Sequence, residues 1–301
     1  MIIFKGVGEH LSIASKFENL VKNTRTTNHD SVSERYKRIT KRINWDFRGR
    51  DSNSLYSRYV GSYGRGTAIK GFSDVDMLIH LPDETYSKYN RYAEKGQSAL
   101  LQAVRNSIRK TYPNTDVGGD GQVVVVKFSD GMMFEVVPAF IDKDGMSCIY
   151  PDSNGGGCWR TCNPVAEINA INQLNNKYNK NVKHLVRIMK AWRNENNVPI
   201  SGMLLETLAM NFLTQYEYAS KTYVYYDWMV RDFFKYLSEQ NPEQSFWKAH
   251  GSGQPVWRRG NFEYKAKQGY LRTVEAIADE EKYPALANDT WRKIFGKCFT
   301  G

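Results

Sequence analysis

Acidic residues are in short supply: 32 Asp plus Glu stand against 42 Lys plus Arg in 301 residues, a formal net charge of +10. The deficit puts an anionic partner, whether phosphate, nucleotide or nucleic acid, ahead of other partners, without choosing among them. Cysteine is scarce too. Cys148, Cys158, Cys162 and Cys298 are too few and too unevenly placed to staple a secreted scaffold of this size, so a reducing, cytoplasmic setting is expected. Cys158 and Cys162 lie close enough for a zinc pair, but no second pair and no nearby histidine completes four ligands, and buried thiols are expected instead. No apolar run approaches the roughly 20 residues of a membrane span, and Met1 to Gly6 lacks the basic lead and apolar stretch of a signal peptide, so no membrane role is expected. There is no internal repeat and no low-complexity tract, which sets aside solenoids and linker arrays.

What is present is a core-forming composition, 41% hydrophobic, which excludes disorder as the main state and suits one large or two moderate domains. Up to about Pro138, strand-like and helical runs alternate; beyond Pro164 nearly every segment has helical periodicity. Ser31 with Glu34 reads as a capping box opening a basic helix in which Tyr36, Ile39 and Ile43 recur. Leu55–Val60 reads as a strand, then comes a loop with Gly61, Gly64, Gly66 and Gly71, and a second strand runs from Val75 to Leu81. Glu84 to Lys110 has the length and spacing of one helix on a sheet, stopped by Pro113. Gln122–Phe128 and Met132–Phe140, joined by Ser129-Asp130-Gly131, predict an antiparallel hairpin. Helices are expected at about 165–180, 182–195, 201–218, 226–238, 263–281 and 285–296, and Pro151–Gly157 is expected to be a flexible loop between the two halves.

The chemistry concentrates in Gly61-Ser62-Tyr63-Gly64-Arg65-Gly66 followed by Ser73-Asp74-Val75-Asp76 and an apolar strand. Alternation along a strand puts Asp74 and Asp76 on one face and turns Val75 into the core. Two carboxylates on one face are costly without cations, and such a pair can hold divalent ions that activate a hydroxyl and neutralise a leaving phosphate. Hard oxygen ligands favour magnesium or manganese. Small residues upstream, with the Ser62 hydroxyl, suit a phosphate cradle. Glu135 interrupts an apolar strand, where an acid is expensive unless paired or metal-bound, and is the candidate third carboxylate. Lys183, Arg187, Lys190 and Asn194 share one face of a later helix.

Gly61-Ser62, Ser73-Asp74-Val75-Asp76 and Phe134-Glu135-Val136-Val137-Pro138-Ala139 together resemble the polymerase-β-like nucleotidyltransferases, and within them the bacterial cGAS/DncV-like CD-NTases. The resemblance continues through Trp159–Pro164, Leu185–Trp192 and Ser201–Glu206. It implies an α+β fold: a nucleotidyltransferase core with a mixed sheet and an N-terminal helix over 1–160, a helical lobe over 161–301, and an active-site cleft between them. It implies that Asp74, Asp76 and Glu135 hold two Mg²⁺ or Mn²⁺ ions, that Gly61 and Ser62 touch donor phosphates, and that Lys190 and Ser201 steady the triphosphate. Glu135 stands where aspartate is common in the family. Arg160, Thr161, Cys162 and Asn163 lie where relatives read bases. The implied reaction condenses ribonucleoside triphosphates into a cyclic di- or oligonucleotide signal in anti-phage defence, by a monomer, with an activating RNA and a cyclic-nucleotide-responsive effector as partners. Two alternatives stay open: a related transferase acting on an RNA end, a small molecule or a protein, and an inactive RNA-binding module served by the basic helix from Ser33 to Arg50.

Overall fold

The computed structural model describes residues 12–71 and 74–301; the N-terminal reading over Met1 to Gly6 and the motif residue Ser73 lie outside the described residues. In chain order the elements begin with α1 (Ile13–Asn23), α2 (His29–Arg48), β1 (Ser57–Tyr59), α3 (Gly61–Gly64), β2 (Val75–His80), α4 (Asp83–Asn90) and α5 (Gly96–Thr111). There follow β3 (Asp116–Asp120), β4 (Val123–Lys127), β5 (Met133–Ile141), β6 (Cys148–Asp152), β7 (Cys158–Cys162) and α6 (Pro164–Lys177). The remainder is α7 (Asn181–Glu195), α8 (Gly202–Gln215), α9 (Tyr226–Ser238), the short strands β8 (Phe246–Lys248) and β9 (Pro255–Trp257), α10 (Glu263–Asp279) and α11 (Pro284–Phe295). The six expected C-terminal helices are all present, each end within three residues of its expected place.

The chain divides into two compact units, one of residues 26–172 with 250–254, the other of the segment up to Arg25 with 173–249 and 255–301. The expected division at 160/161 differs from this: α1 groups with the later helices, and β7 and most of α6 group with the sheet.

In the first unit the strand order is β1-β2-β5-β4-β3, with β6 paired to β5 and β7 to β6. Only the β2–β5 pairing among these is parallel. Val75, Met77 and Ile79 alternate onto the face covered by helices, where they meet Val32, Ile39 and Ile43 of α2 and Leu100, Val104 and Ile108 of α5. The opposite face carries a smaller cluster of Val60, Leu78, Ala139 and Cys148. Asp76, Leu78 and His80 therefore share the face that α2 and α5 leave open.

Four sequence expectations are corrected. The α2 N-cap is Asn28, and Ser31 lies inside the helix; Glu34 pairs with Arg38 at 2.7 Å instead of closing a capping box. The helix expected over 84–110 is broken into α4 and α5, because Lys95 takes a left-handed φ of 58° and Gly96 sits where a Cβ would lie 2.1 Å from the Tyr89 carbonyl oxygen. Pro151 and Asp152 belong to β6, and the glycines after them turn a β6–β7 hairpin rather than a crossing between lobes. Of the cysteines, Cys158 is exposed and Cys162 half-buried; the buried one is Cys148, which faces Cys162 across the hairpin.

The second unit is a helical assembly with an aromatic centre. Phe17 of α1 meets Trp291 edge-on at 5.1 Å and lies 6.4 Å from Phe295 and 6.2 Å from Phe299, all essentially solvent-free. Trp192 of α7 packs on Phe234 of α9 at 4.9 Å. Replacing Phe17 by Ala leaves a cavity among rigid rings, and the expected loss is about 3–5 kcal/mol in urea unfolding followed by tryptophan fluorescence. A loss under about 1 kcal/mol would show that α1 is not part of this core.

Candidate active site

The parallel pairing of β2 with β5 runs in a register that sets Asp76 opposite Glu135. Neighbouring strands lie roughly 4.8 Å apart, so the two carboxyls on the open face meet. They hydrogen-bond to each other, and burial together with the Asp76 charge pushes the Glu135 carboxyl up to about 7. Asp76 is also raised, first by burial; the Glu135 hydrogen bond, Arg65 and the Ser62 N–H pull the other way, while Asp74 adds repulsion. Asp74 precedes β2 and is raised by partial burial. Burial and like charge both disfavour the ionised form of neighbouring carboxyls, which is why all three are raised.

The glycine loop is built around the same acid. The Val60 N–H donates to the Asp76 carbonyl oxygen at 2.9 Å, and the chain then turns through Gly61 with φ of 56° into the single turn α3. A Cβ on Gly61 would lie 1.8 Å from the Asp76 carboxylate oxygen, so only glycine lets the loop backbone come this near. Ser62 donates its N–H to the Asp76 side chain. Beyond it, Thr67 N–H and Ala68 N–H both return to the Ser62 carbonyl oxygen, at 2.9 and 3.1 Å, which closes the loop on itself.

The chemistry of this donor set fits hard divalent cations: three carboxylates, two of them in contact and Asp74 close enough to repel both. The set is not drawn closed. Among the described residues no three His, Cys, Asp or Glu side chains stand at metal-holding spacing. Asp74, Asp76 and Glu135 are the residues that would hold the ions.

The phosphate contacts expected from the helical half have other partners. Lys190 is 3% exposed and donates from Nζ to Glu206 Oε1 at 2.8 Å, with Glu206 itself 2% exposed. Ser201 caps α8, its hydroxyl accepting from the Leu204 N–H at 3.1 Å. The basic stripe on α7 is substantially buried. Burial holds the Lys183 amine below its ordinary range, and burial with Arg25 nearby brings Arg187 down to about 10. The four residues expected to read bases have structural duties. Arg160 pairs with the buried Asp152, the Thr161 carbonyl accepts from Gln254 at 2.7 Å, Cys162 faces Cys148, and the Asn163 side chain accepts from the Ala166 N–H at 3.0 Å. The basic helix α2 is largely compensated: Arg35 makes a two-pronged pair with Asp130, Arg38 pairs with Glu34, Lys41 with Asp51, and Arg48 stacks on Tyr56.

Comparison with known proteins decides the family. Residues 11–175 match the SMODS domain, the Second Messenger Oligonucleotide or Dinucleotide Synthetase domain. The chain belongs to this family. As a SMODS synthetase it is a nucleotidyltransferase making cyclic oligonucleotide signals. A probable cyclic nucleotide synthase of Bacillus cereus (strain VD146) is 22% identical over 290 residues, 79% of this chain and 80% of that one. A cyclic AMP-AMP-AMP synthase of Acinetobacter sp. (strain ATCC 27244 / 9458) is 28% identical over 179 residues, 58% of this chain and 51% of that one. In fold, the synthetase is similar to CdnC of E. coli MS115-1 in a complex with HORMA-deltaN, with a TM-score of 0.68 at 18% identity, covering 98% of this chain and 100% of that one. It is also similar to apo DncV of Vibrio cholerae, with a TM-score of 0.64 at 16% identity, covering 97% and 82%. Among the described residues no helix of the synthetase is long and apolar enough to cross a membrane.

Three site residues were missed in the sequence. Arg65, 9% exposed, acts on Asp76 by charge and forms an ion pair with Glu167 at 3.2 Å; Glu167 in turn accepts from the Ser252 hydroxyl at 2.9 Å. Asp120, at the end of β3, adds its charge to the repulsion on Glu135. An arginine between two loop glycines was a visible signal; nothing in Gly118-Gly119-Asp120-Gly121 marks Asp120 as one.

Substituting Gly61 by Ala in the SMODS synthetase forces the loop off Asp76, and synthesis is expected to fall about 100-fold with an unchanged far-ultraviolet circular dichroism spectrum. Wild-type turnover would show that the close approach is unnecessary. Lys190→Met takes from the buried Glu206 carboxylate the cation that lies 2.8 Å away, an expected loss of about 3–5 kcal/mol in denaturant unfolding, while Lys190→Met with Glu206→Leu recovers most of it. Equal losses in both would remove the coupling between the two.

Proposed function

We propose that the enzyme joins a ribose hydroxyl of one ribonucleoside triphosphate to the α-phosphate of another, releases pyrophosphate, and repeats the step within the linear product to close the ring. The observation that carries this is the Asp76–Glu135 contact across the parallel β2–β5 pair, with the Asp76 carboxylate also receiving the Ser62 N–H. Two Mg²⁺ or Mn²⁺ ions, when bound, supply charge neutralisation at the attacking and leaving oxygens. The work of the chain is to hold that geometry. Asp74, Asp76 and Glu135 present oxygens from one sheet face; Gly61 permits the approach of backbone, and with Ser62 contacts donor phosphates; Arg65 balances the acids and fastens the loop to α6 through Glu167. Lys190 and Ser201 are our assignment for the triphosphate contacts of the helical unit. The product signals to an effector that responds to cyclic nucleotides. An activating RNA is in keeping with the +10 charge, and a reducing cytoplasm with four free cysteines; we take the active species to be a monomer.

The test is mass spectrometry of the reaction with all four ribonucleoside triphosphates and either metal. The wild type is expected to yield a phosphatase-resistant cyclic product without any added acceptor. Asp74→Asn combined with Asp76→Asn is expected to yield none while melting as a folded protein. A strict requirement for an RNA, small-molecule or protein acceptor would replace cyclisation by transfer to that acceptor, and full activity of the double variant would remove these acids from catalysis.

A further inference from the structure

On the open face of the sheet, past the acids, there is a second recess of about 340 Å³ inside the sheet unit, within the size range of small-molecule sites. His80 lies four residues along β2 from Asp76, about 13 Å away at strand rise. Arg58 projects from β1 on the same face, since its register partner is Leu78. The β5–β6 loop supplies Met146 and Ser147, and the start of α6 supplies Asn163 and Asn169.

The chemistry of this recess centres on His80 and Arg58. His80 Nδ1 is buried with no hydrogen-bond partner among the described residues. Burial, and after it the charges of Arg58 and Arg48, push the imidazole down to about 4. Two acids stand on the adjacent loop, and both accept from its own backbone: Asp142 takes the Lys143 N–H at 2.7 Å, and Asp144 takes the Met146 and Ser147 N–H groups at 2.8 and 2.7 Å and the Ser147 hydroxyl at 2.7 Å. Asn163 spends its side-chain oxygen on the Ala166 N–H and keeps its amide donors. Meanwhile Ile141 and Met146, 58% and 68% exposed, stand at the rim as uncovered apolar surface. A neutral imidazole with an orphaned nitrogen, an exposed guanidinium and a thioether beside an aliphatic face are complementary to one kind of molecule.

We propose that this recess binds a small anion with a flat apolar body, a nucleoside monophosphate or an aromatic carboxylate. Its anionic group sits on Arg58, its ring against Met146 and Ile141, and a polar ring edge on His80 Nδ1 and the Asn163 amide. The occupant would lie on the strand that carries Asp76, so it is placed to bias the acids without entering their site.

The test uses full-length protein labelled with ¹⁵N-histidine, with the His80 ring signals followed during titration by AMP in one arm and 4-hydroxybenzoate in the other. A saturable shift with at least one probe is expected, weakened about tenfold or more by Arg58→Ala, an exposed residue whose loss leaves the core intact, and weakened also by Met146→Ala. Saturation by AMP alone identifies a nucleotide; saturation by the benzoate alone identifies a carboxylate; both identify the shared chemistry. No shift up to about 10 mM of either probe, or a shift unchanged in Arg58→Ala, overturns the proposal. Because the readout requires no nucleotide transfer, an inactive synthase would leave it untouched, and its failure would leave the proposed reaction standing.

Discussion

Carboxylates packed side by side in a partly dry site cannot all stay ionised without cations, and the sheet unit is arranged to impose that conflict. The parallel register forces Asp76 against Glu135, with Asp74 beside them. The protein relieves the strain in part with the neighbouring Arg65, the Ser62 N–H and the hydrogen bond from Glu135, yet Asp76 and Glu135 are both still raised. What remains unrelieved is an appetite for divalent charge. Gly61 belongs to the same constraint, since any side chain there would collide with the Asp76 carboxylate.

Much of this was visible in the chain. Strand alternation alone placed Asp76 opposite in direction to Val75, and the Asp130-Gly131 turn gave the β4–β5 hairpin that delivers Glu135. The register of β5 on β2 was not visible, because it depends on a crossover through α4, α5, β3 and β4 rather than on any local pattern. The break between α4 and α5 was hidden for a similar reason: it arises from the crowding of Gly96 on the Tyr89 carbonyl, a tertiary contact. The β6–β7 hairpin was masked by its own glycines, which read as a linker. Ser31 looked like a cap because its partner at three residues was right; the true boundary falls at Asn28, where no side-chain cap bond forms.

The helical unit shows how a sequence pattern and its use can part. The family resemblance singled out Lys190 from the four residues that share one face of α7, and the structure gives it a buried carboxylate, Glu206, as partner. A lysine held this way is fixed in position by the ion pair, as the Ser201 hydroxyl is by the first turn of α8. By contrast, the long basic run of α2 looked like an anion-binding surface and is mostly matched by its own neighbours. Charge counted along a sequence overstates charge available in space.

The central claim is that Asp74, Asp76 and Glu135 form one cation-holding unit. It is tested most directly by manganese binding, read by electron paramagnetic resonance with a non-hydrolysable triphosphate, in the wild type and in Glu135→Gln. The expected result is a magnetically coupled pair of ions roughly 3.5 to 4 Å apart in the wild type, with the coupling lost in the variant. Identical spectra from the two proteins would contradict it.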